Sequence, residues 1–306
     1  MKVGDTLFVA LCSDGTALIV VTPENSTLQN QLLWLLGLVK PLEEQFLLRQ
    51  LANASAEIDF AARYILDELG IELAETQSDW LDKLIAPFNG KFPSTRDFSE
   101  LARSSLPHIN VLDDPDQVLV AWADQEERLF RRLERVDVGA RLQDGFLAGN
   151  KADVDRFIAY SLSIQNRRKS RAGYSLEHHM QTLLKARDVR FSRGVTIENK
   201  MKPDFLFPGQ AEYENSAFPA EKLSMLGVKA TLKDRWRQVL AEASRIRHKH
   251  LLTLQPAISE NQTNQIRSLD LQLVVPTPIQ PSYRESQRDW IMSVAEFIKE
   301  MQKRQA

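Results

Sequence analysis

The sequence predicts an α/β fold, a mixed central sheet flanked by helices, preceded by a smaller α+β segment. Three observations predict it. From Ser175 to the C-terminus, helical stretches alternate with short β-like pieces: VRFSRGVTIE, DFLFP, KLSMLGVKA, HLLTL (250–254) and LQLVVP (271–276). Alternation of this kind builds a sheet with helices packed on it. HLLTL and LQLVVP are almost wholly apolar, as strands buried in a sheet interior are. Residues 6–21, TLFVALCSDGTALIVV, stand apart from that core. Asp14-Gly15 between two β-rich runs is a hairpin signal.

Each element follows in order. Ser26 is placed to cap a helix, TLQNQLLWLLG, that stops at Gly37. Helical periodicity continues over 41–73 and 75–87. Pro87-Phe88-Asn89-Gly90-Lys91-Phe92-Pro93 breaks it, and a domain boundary is placed there, giving units 1–90 and 91–306. Residues 95–165 read as mostly helical, with Asp113–Gln117 (DDPDQ) as a helix start and 147–153 (LAGNKAD) as a loop. A helix SLEHHMQTLLKARD precedes the strands. A basic helix, TLKDRWRQVLAEASRIR, follows KLSMLGVKA, with Thr231 as its cap and Asp234 three residues on. A last helix begins near Ser286. No internal repeat or low-complexity segment is evident.

Composition sets bounds. The chain has 306 residues, 43% of them hydrophobic, enough for a large core. Its longest apolar runs, such as Leu32–Leu36, are too short to span a bilayer. Met1-Lys2-Val3-Gly4-Asp5 lacks the pattern of a secretory leader, and the single cysteine, Cys12, leaves no internal disulfide. A cytoplasmic location is expected. The formal net charge of −2 gives no overall attraction to nucleic acid, so any such role must rest on local clusters.

One stretch raises a chemical question. In KPDFLFPG (202–209), Pro203 suits the first position of a strand, which fixes Asp204 at its mouth. A carboxylate held there needs a partner: a salt bridge, a cap or a metal ion. Lys229 ends the apolar run Leu226-Gly227-Val228, 25 positions after Asp204. An acid and a lysine ending adjacent strands are the core of PD-(D/E)XK nuclease sites, although an ion pair explains two residues equally well. The second acid would stand two residues before the lysine, and that position holds Gly227. Glu242, 13 residues after Lys229, offers a replacement. On a continuous helix it would lie beside the apolar stripe of Trp236, Val239, Leu240 and Ala243, in line with Arg235 and Gln238.

At these residues the chain resembles the catalytic domain of the EcoRII family of restriction endonucleases. The segments that carry the resemblance are QNRRKSRAGYSLEHH, KMKPDFLFP, FPAEKLSMLGVKATLKDRWRQVLAEASRI, HLLTLQ and LVVP, within residues 92–306. The wider set, with NgoMIV and PspGI, has its second metal-binding acid moved onto the following helix. The resemblance implies a Mg²⁺-dependent, sequence-specific endonuclease for double-stranded DNA with a restriction-endonuclease-like core. Asp204 and Glu242 would hold the metal, Lys229 would act on the attacking water, and Glu177 matches a further helix-borne acid. Oxygen ligands of this type suit a hard cation. The products would carry 5′-phosphates.

The resemblance also implies how DNA is read. Lys233, Asp234 and Arg235 correspond to a triplet that enters the major groove and reads paired C and G. Lys and Arg donate to guanine and Asp accepts from cytosine amines. The alternative is a solvated helix start. A palindromic target with CC and GG half-sites would require a homodimer. Arg167, Arg168, Lys169 and Arg171 form a charge run suited to phosphates. Residues 229–249 hold seven Lys or Arg against two acids, a local excess of five. Relatives extrude central bases into pockets built from an arginine and an aromatic. Trp122 is the stacking candidate, with a core role as its alternative. His178-His179 and the pair flanking Lys249 lack metal-ligand spacing and read as helix-surface and strand-end residues. Most of residues 1–90 shows no resemblance to the family, and the segment is expected to extend recognition or complete the DNA clamp by packing its apolar stretches on the core.

Overall fold

Local signals set most of the element boundaries in the computed structural model, which describes residues 1–11, 15–38, 59–71, 78–149, 151–232 and 235–306. In chain order these are β1 (Thr6–Leu11), β2 (Ala17–Thr22), α1 (Thr27–Leu35), α2 (Phe60–Glu68), α3 (Ser78–Ile85), α4 (Thr95–Ser104), α5 (Pro115–Asp144), β3 (Leu147–Ala148), β4 (Lys151–Ala152) and α6 (Val154–Ala186). Then come β5 (Ser192–Arg193), β6 (Phe205–Phe207), α7 (Gln210–Glu214), β7 (Ser224–Val228), α8 (Trp236–Ala241), β8 (Lys249–Leu252), α9 (Glu260–Ser268), β9 (Leu271–Val274), α10 (Glu285–Arg288) and α11 (Val294–Gln305).

The central sheet has the order β5-β6-β7-β8-β9. β5, β6 and β7 pair antiparallel, and β7, β8 and β9 run parallel. The sheet is therefore mixed, as the sequence predicts. α6 lies against β7, α8 against β8 and α9 against β9. Phe205, Leu206, Phe207, Leu226, Leu251 and Leu273 are among the side chains buried between these layers. α5 and α11 are joined by Asp116. Its buried carboxylate accepts hydrogen bonds from the backbone N–H groups of Thr277 (3.0 Å), Val294 (2.8 Å) and Ala295 (2.9 Å). Three amide donors compensate the burial of one charge.

The N-terminal elements form as their signals require. β1 and β2 pair from Thr6↔Thr22 to Leu11↔Ala17; Cys12, Ser13 and Asp14 at the tip lie outside the described residues. The Ser26 hydroxyl accepts from Gln29 N–H at 3.2 Å and caps α1. α1 buries Leu32 and Leu33, and Gln31 donates to the Pro256 carbonyl at 3.3 Å. The hairpin packs only in part, because Leu7, Val9, Leu11, Ile19 and Val21 on one face of the ribbon are exposed.

Four boundaries differ from the sequence expectation. The 87–93 break is a turn inside one hydrophobic cluster, since Leu81 and Ile85 pack with Phe98, Phe130 and Leu133, and Phe88 and Phe92 join them. The supposed loop 147–153 is a short hairpin followed directly by α6. The last helix starts at Val294, not near Ser286, because Met292 N–H donates to the Leu273 carbonyl at 3.0 Å and Val275 N–H to the Met292 carbonyl at 2.9 Å. That pairing keeps the chain extended until Ser293 and Glu296 form a capping box. The 17-residue basic helix is cut to the six residues of α8. No helix among the described residues is long and apolar enough to cross a membrane.

Candidate active site

Asp204 and Lys229 meet at the ends of neighbouring strands. Pro203 leaves the chain free of a ladder donor just before β6, so Asp204 stands where β6 begins. Its Oδ2 accepts from Val228 N–H at 2.6 Å and from Lys229 Nζ at 2.8 Å. Lys229 N–H donates to the Leu252 carbonyl at 3.0 Å, which extends the β7–β8 pairing by one residue and fixes the lysine stem.

Gly227 explains why no acid stands two residues before the lysine. A Cβ at Gly227 would lie 2.7 Å from Val239 Cγ2 and 3.0 Å from Cγ1. The bare backbone lets α8 settle on β7, with Val239 and Trp236 buried. That close approach brings the end of α8 to the strand ends. Glu242 arrives there as the residue that ends α8, in an extended conformation (φ −78°, ψ 150°), and Ala243 takes a left-handed one (φ 50°). This corrects the helical placement: Glu242 is on the segment after the helix, not on its face in line with Arg235. The charges nonetheless converge. Glu242 is raised to about 7, first by burial and also by the charge of Asp204, against the opposing pull of Lys229 and Lys249. Its Oε2 is buried without a hydrogen-bond partner among the described residues.

Glu177 joins from α6. Burial first, then the charge of Asp204, pushes it up, while Arg193 and Lys229 act against this. Arg193, on β5, is a residue the sequence reading missed. It donates to Glu177 Oε2 from Nη2 at 2.8 Å and from Nε at 3.1 Å, and its Nη1 lies 2.9 Å from His178 Nδ1. Burial, and next the Arg193 charge, push His178 down to about 4, which leaves its nitrogen free to accept. Glu177 is thus tied to Arg193, and Asp204 to Lys229. Among the described residues no three His, Cys, Asp or Glu side chains stand close enough together to hold a metal ion. Asp204 and the unpartnered Glu242 suit a divalent cation: oxygen donors only, and a buried, repelled carboxylate that a cation would relieve.

The DNA-reading candidates separate. Lys233 and Asp234 lie outside the described residues, and Arg235 is exposed just before α8. The segment leading to them is anchored, with Leu232 N–H donating to Gln255 Oε1 at 2.7 Å. Three cations of the charge run pair with acids of the protein. Arg167 pairs with Asp137 at 2.7 Å and covers the Phe92 ring, and Arg168 donates from Nε to both oxygens of Glu134 at 2.9 Å. Arg171 is buried between Glu126 and Glu127 over the Phe130 ring. These contacts zip α5 to α6, and the burial of Arg171 corrects the phosphate reading for that residue, whereas Arg167 keeps 32% of its side chain exposed. Arg168 keeps 43% of its side chain exposed, and Lys169 is exposed.

Trp122 is 3% exposed, with its ring centroid 5.7 Å from that of His179. It belongs to the core and presents no face to a base. His179 is buried as well, 3.0 Å from Glu126, and not on the helix surface. A cavity of about 320 Å³ lies nearby instead, lined by Phe60, Arg63 and Tyr64 of α2, by Arg168 and Lys169, and by Thr231 next to the reading triplet. The signal for it was an arginine and an aromatic side by side at 63–64.

Comparisons with known proteins bear on the family and the fold. The family described as EcoRII C terminal matches residues 130–298. The type II restriction enzyme EcoRII of Escherichia coli is 37% identical over 247 residues, covering 80% of this chain and 59% of that protein. This chain therefore spans about three-fifths of the length of that relative. Among solved structures, metal-depleted Ecl18kI bound to uncleaved, modified DNA is similar with a TM-score of 0.58 at 18% identity, over 75% of this chain and 85% of that one. The complex of the restriction endonuclease PspGI with substrate DNA gives 0.57 at 16% identity, over 70% and 93%. These neighbours carry the restriction-endonuclease fold, and Asp204, Lys229 and Glu242 stand at the strand ends of the same fold here. Matched by the family over more than half its length, the chain belongs to the EcoRII C-terminal family.

Proposed function

We propose that the chain is a type II restriction endonuclease, cutting both strands of DNA at a specific site and requiring Mg²⁺. The observation that carries this is the buried, unpartnered oxygen of Glu242 facing the charges of Asp204 and Lys229. Asp204 and Glu242 would hold the cation. When bound, such a cation neutralises charge on the scissile phosphate and makes water more acidic. Lys229, held 2.8 Å from Asp204, orients the attacking water by hydrogen bonding and offsets negative charge as the P–O bond breaks. Arg193 keeps Glu177 turned into the site, where it can accept a proton from water. In-line attack leaves a 5′-phosphate.

Specificity rests in this reading on Lys233, Asp234 and Arg235, with guanines read by the cations and cytosines by the acid. The target is a palindrome with CC and GG half-sites, bound by a homodimer, because a two-fold site asks for a two-fold reader. The cavity beside Tyr64, and not Trp122, is the room for an extruded central base. Support comes from the exposure of Arg235 and from the anchoring of the segment before it.

The test is digestion of phage or plasmid DNA with Mg²⁺, with and without EDTA, followed by sequencing of the ends. Discrete ends at one CC/GG-containing palindrome, abolished by EDTA and restored by added Mg²⁺, are expected. Ragged ends, or cutting that ignores EDTA, would refute the proposal.

A further inference from the structure

The position of Glu242 is a mechanical problem. Its segment has left α8, its carboxylate is partly desolvated, and Asp204 repels it. Within the stretch, the Glu242 N–H donates to the Val239 carbonyl at 3.3 Å and the Ile246 N–H to the Ala243 carbonyl at 2.9 Å. Two charged side chains outside the site grip it from both sides.

Upstream, Lys249 at the start of β8 is only 6% exposed, and its Nζ donates to the Leu240 carbonyl at 2.6 Å. That carbonyl lies two residues before Glu242. Downstream, Glu198 Oε1 accepts from Ser244 N–H at 2.8 Å and from the Ser244 hydroxyl at 2.9 Å. Ser244 lies two residues after Glu242. The Tyr213 hydroxyl donates to the same Glu198 oxygen at 2.6 Å. Arg245 completes the lower grip by donating to the carbonyls of Asn215 and Phe218, each at 3.0 Å, and to that of Tyr213.

We propose that Lys249 and Glu198 are positioning residues, clamping Leu240 and Ser244 on either side of Glu242 so that its carboxylate faces the metal site. Burying an ammonium costs several kcal/mol unless hydrogen bonds compensate it. Lys249 is so buried against a backbone carbonyl that its placement calls for a role. The inference rests on the reading of Glu242 as a metal ligand.

The test compares Lys249→Met, Lys249→Arg, Glu198→Ala and Glu198→Gln with wild type and with Glu242→Ala. Two quantities are measured: Mn²⁺ binding to the protein without DNA, by paramagnetic resonance, and the Mg²⁺ concentration for half-maximal cleavage. Removing groups that orient metal ligands typically weakens metal binding about 10–100-fold. Lys249→Met and Glu198→Ala are expected to show such a loss, with a matching rise in the Mg²⁺ midpoint and near-normal rates at saturating Mg²⁺. Lys249→Arg and Glu198→Gln, which keep the donor and the acceptor, are expected to recover most of it. Should Lys249→Met fail to fold, the Glu198 pair carries the same comparison. A purely structural role would lower the melting temperature and leave the Mg²⁺ midpoint unmoved. An unmoved midpoint, with Glu242→Ala having lost Mn²⁺ binding, overturns the clamp. Normal Mn²⁺ binding by Glu242→Ala overturns the underlying reading instead.

Discussion

Along the α5–α6 seam, Glu126 and Glu127 are held below the ordinary carboxylate range, whereas at the strand ends Glu177 and Glu242 are pushed above it. Burial is the largest influence on all four and raises each of them. The difference lies in company. In the seam, Arg171 and Arg131, with His179, outweigh burial. At the strand ends Asp204 adds to it. The seam has its cations supplied by the chain and is closed. At the strand ends Lys229, Lys249 and Arg193 act against burial without outweighing it. Buried charge is thus a poor marker of function by itself, and unbalanced buried charge a better one.

The contrast can be broken from either side. Glu242→Ala should lower cleavage about 10⁴-fold, the scale of losing an essential active-site group, while binding of the cognate duplex is kept or strengthened. Retained cleavage in a plasmid assay would remove Glu242 from the site. In the seam, Glu126→Ala leaves buried His179 without its carboxylate partner and Arg171 with Glu127 alone, and should cost about 3–5 kcal/mol in denaturant unfolding. A cost under 1 kcal/mol would mean that the seam is not held by charge.

Glu242→Gln, without metal, should have the opposite sign. Glu242 takes up its proton near pH 7 when folded and near the ordinary 4.5 when unfolded. The wild type therefore loses stability as pH rises from about 4.5 to 7, and at pH 8 the glutamine variant should be more stable by ~1–3 kcal/mol. The advantage should fade towards pH 5, and an equal advantage at both pH values would exclude this cause. Arg235→Ala should cost about 1–3 kcal/mol of discrimination at one guanine, read by gel shift on cognate and substituted duplexes. The smallest effect is Lys169→Ala, which should reduce the salt slope of DNA binding by about one unit. Arg171→Ala, buried in the seam, should leave that slope alone.

Much of this was legible in the sequence. The core strands and the mixed α/β class followed from apolar runs and turn residues, and the Asp204–Lys229 pair from Pro203 and from the apolar run before the lysine. What failed were features set by distant partners. Residues 236–247 are rich in good helix formers, so a local reading carries the helix through Glu242. In the fold the helix ends at Ala241, and the chain around Glu242 is held by Lys249, nine residues from Leu240, and by Glu198, 46 residues from Ser244. Arg167, Arg168 and Arg171 look like a DNA-binding run because their acids, Asp137, Glu134, Glu126 and Glu127, stand 30 to 45 positions away on another helix. Trp122 has the composition of a stacking platform, and only the packing of α5 against α6 turns it inward.

The contact between Gly227 and Val239 sets a side chain at the standard acid position against the seat of α8. An aspartate or glutamate at position 227 would place its Cβ 2.7 Å from the valine methyl, so Val239, or the helix that leads to Glu242, has to shift to admit it. A chain bearing acids at both 227 and 242 meets this clash while Val239 keeps its branches. Trimming that valine to glycine or alanine removes it, and anyone who tries to move the acid back would begin there.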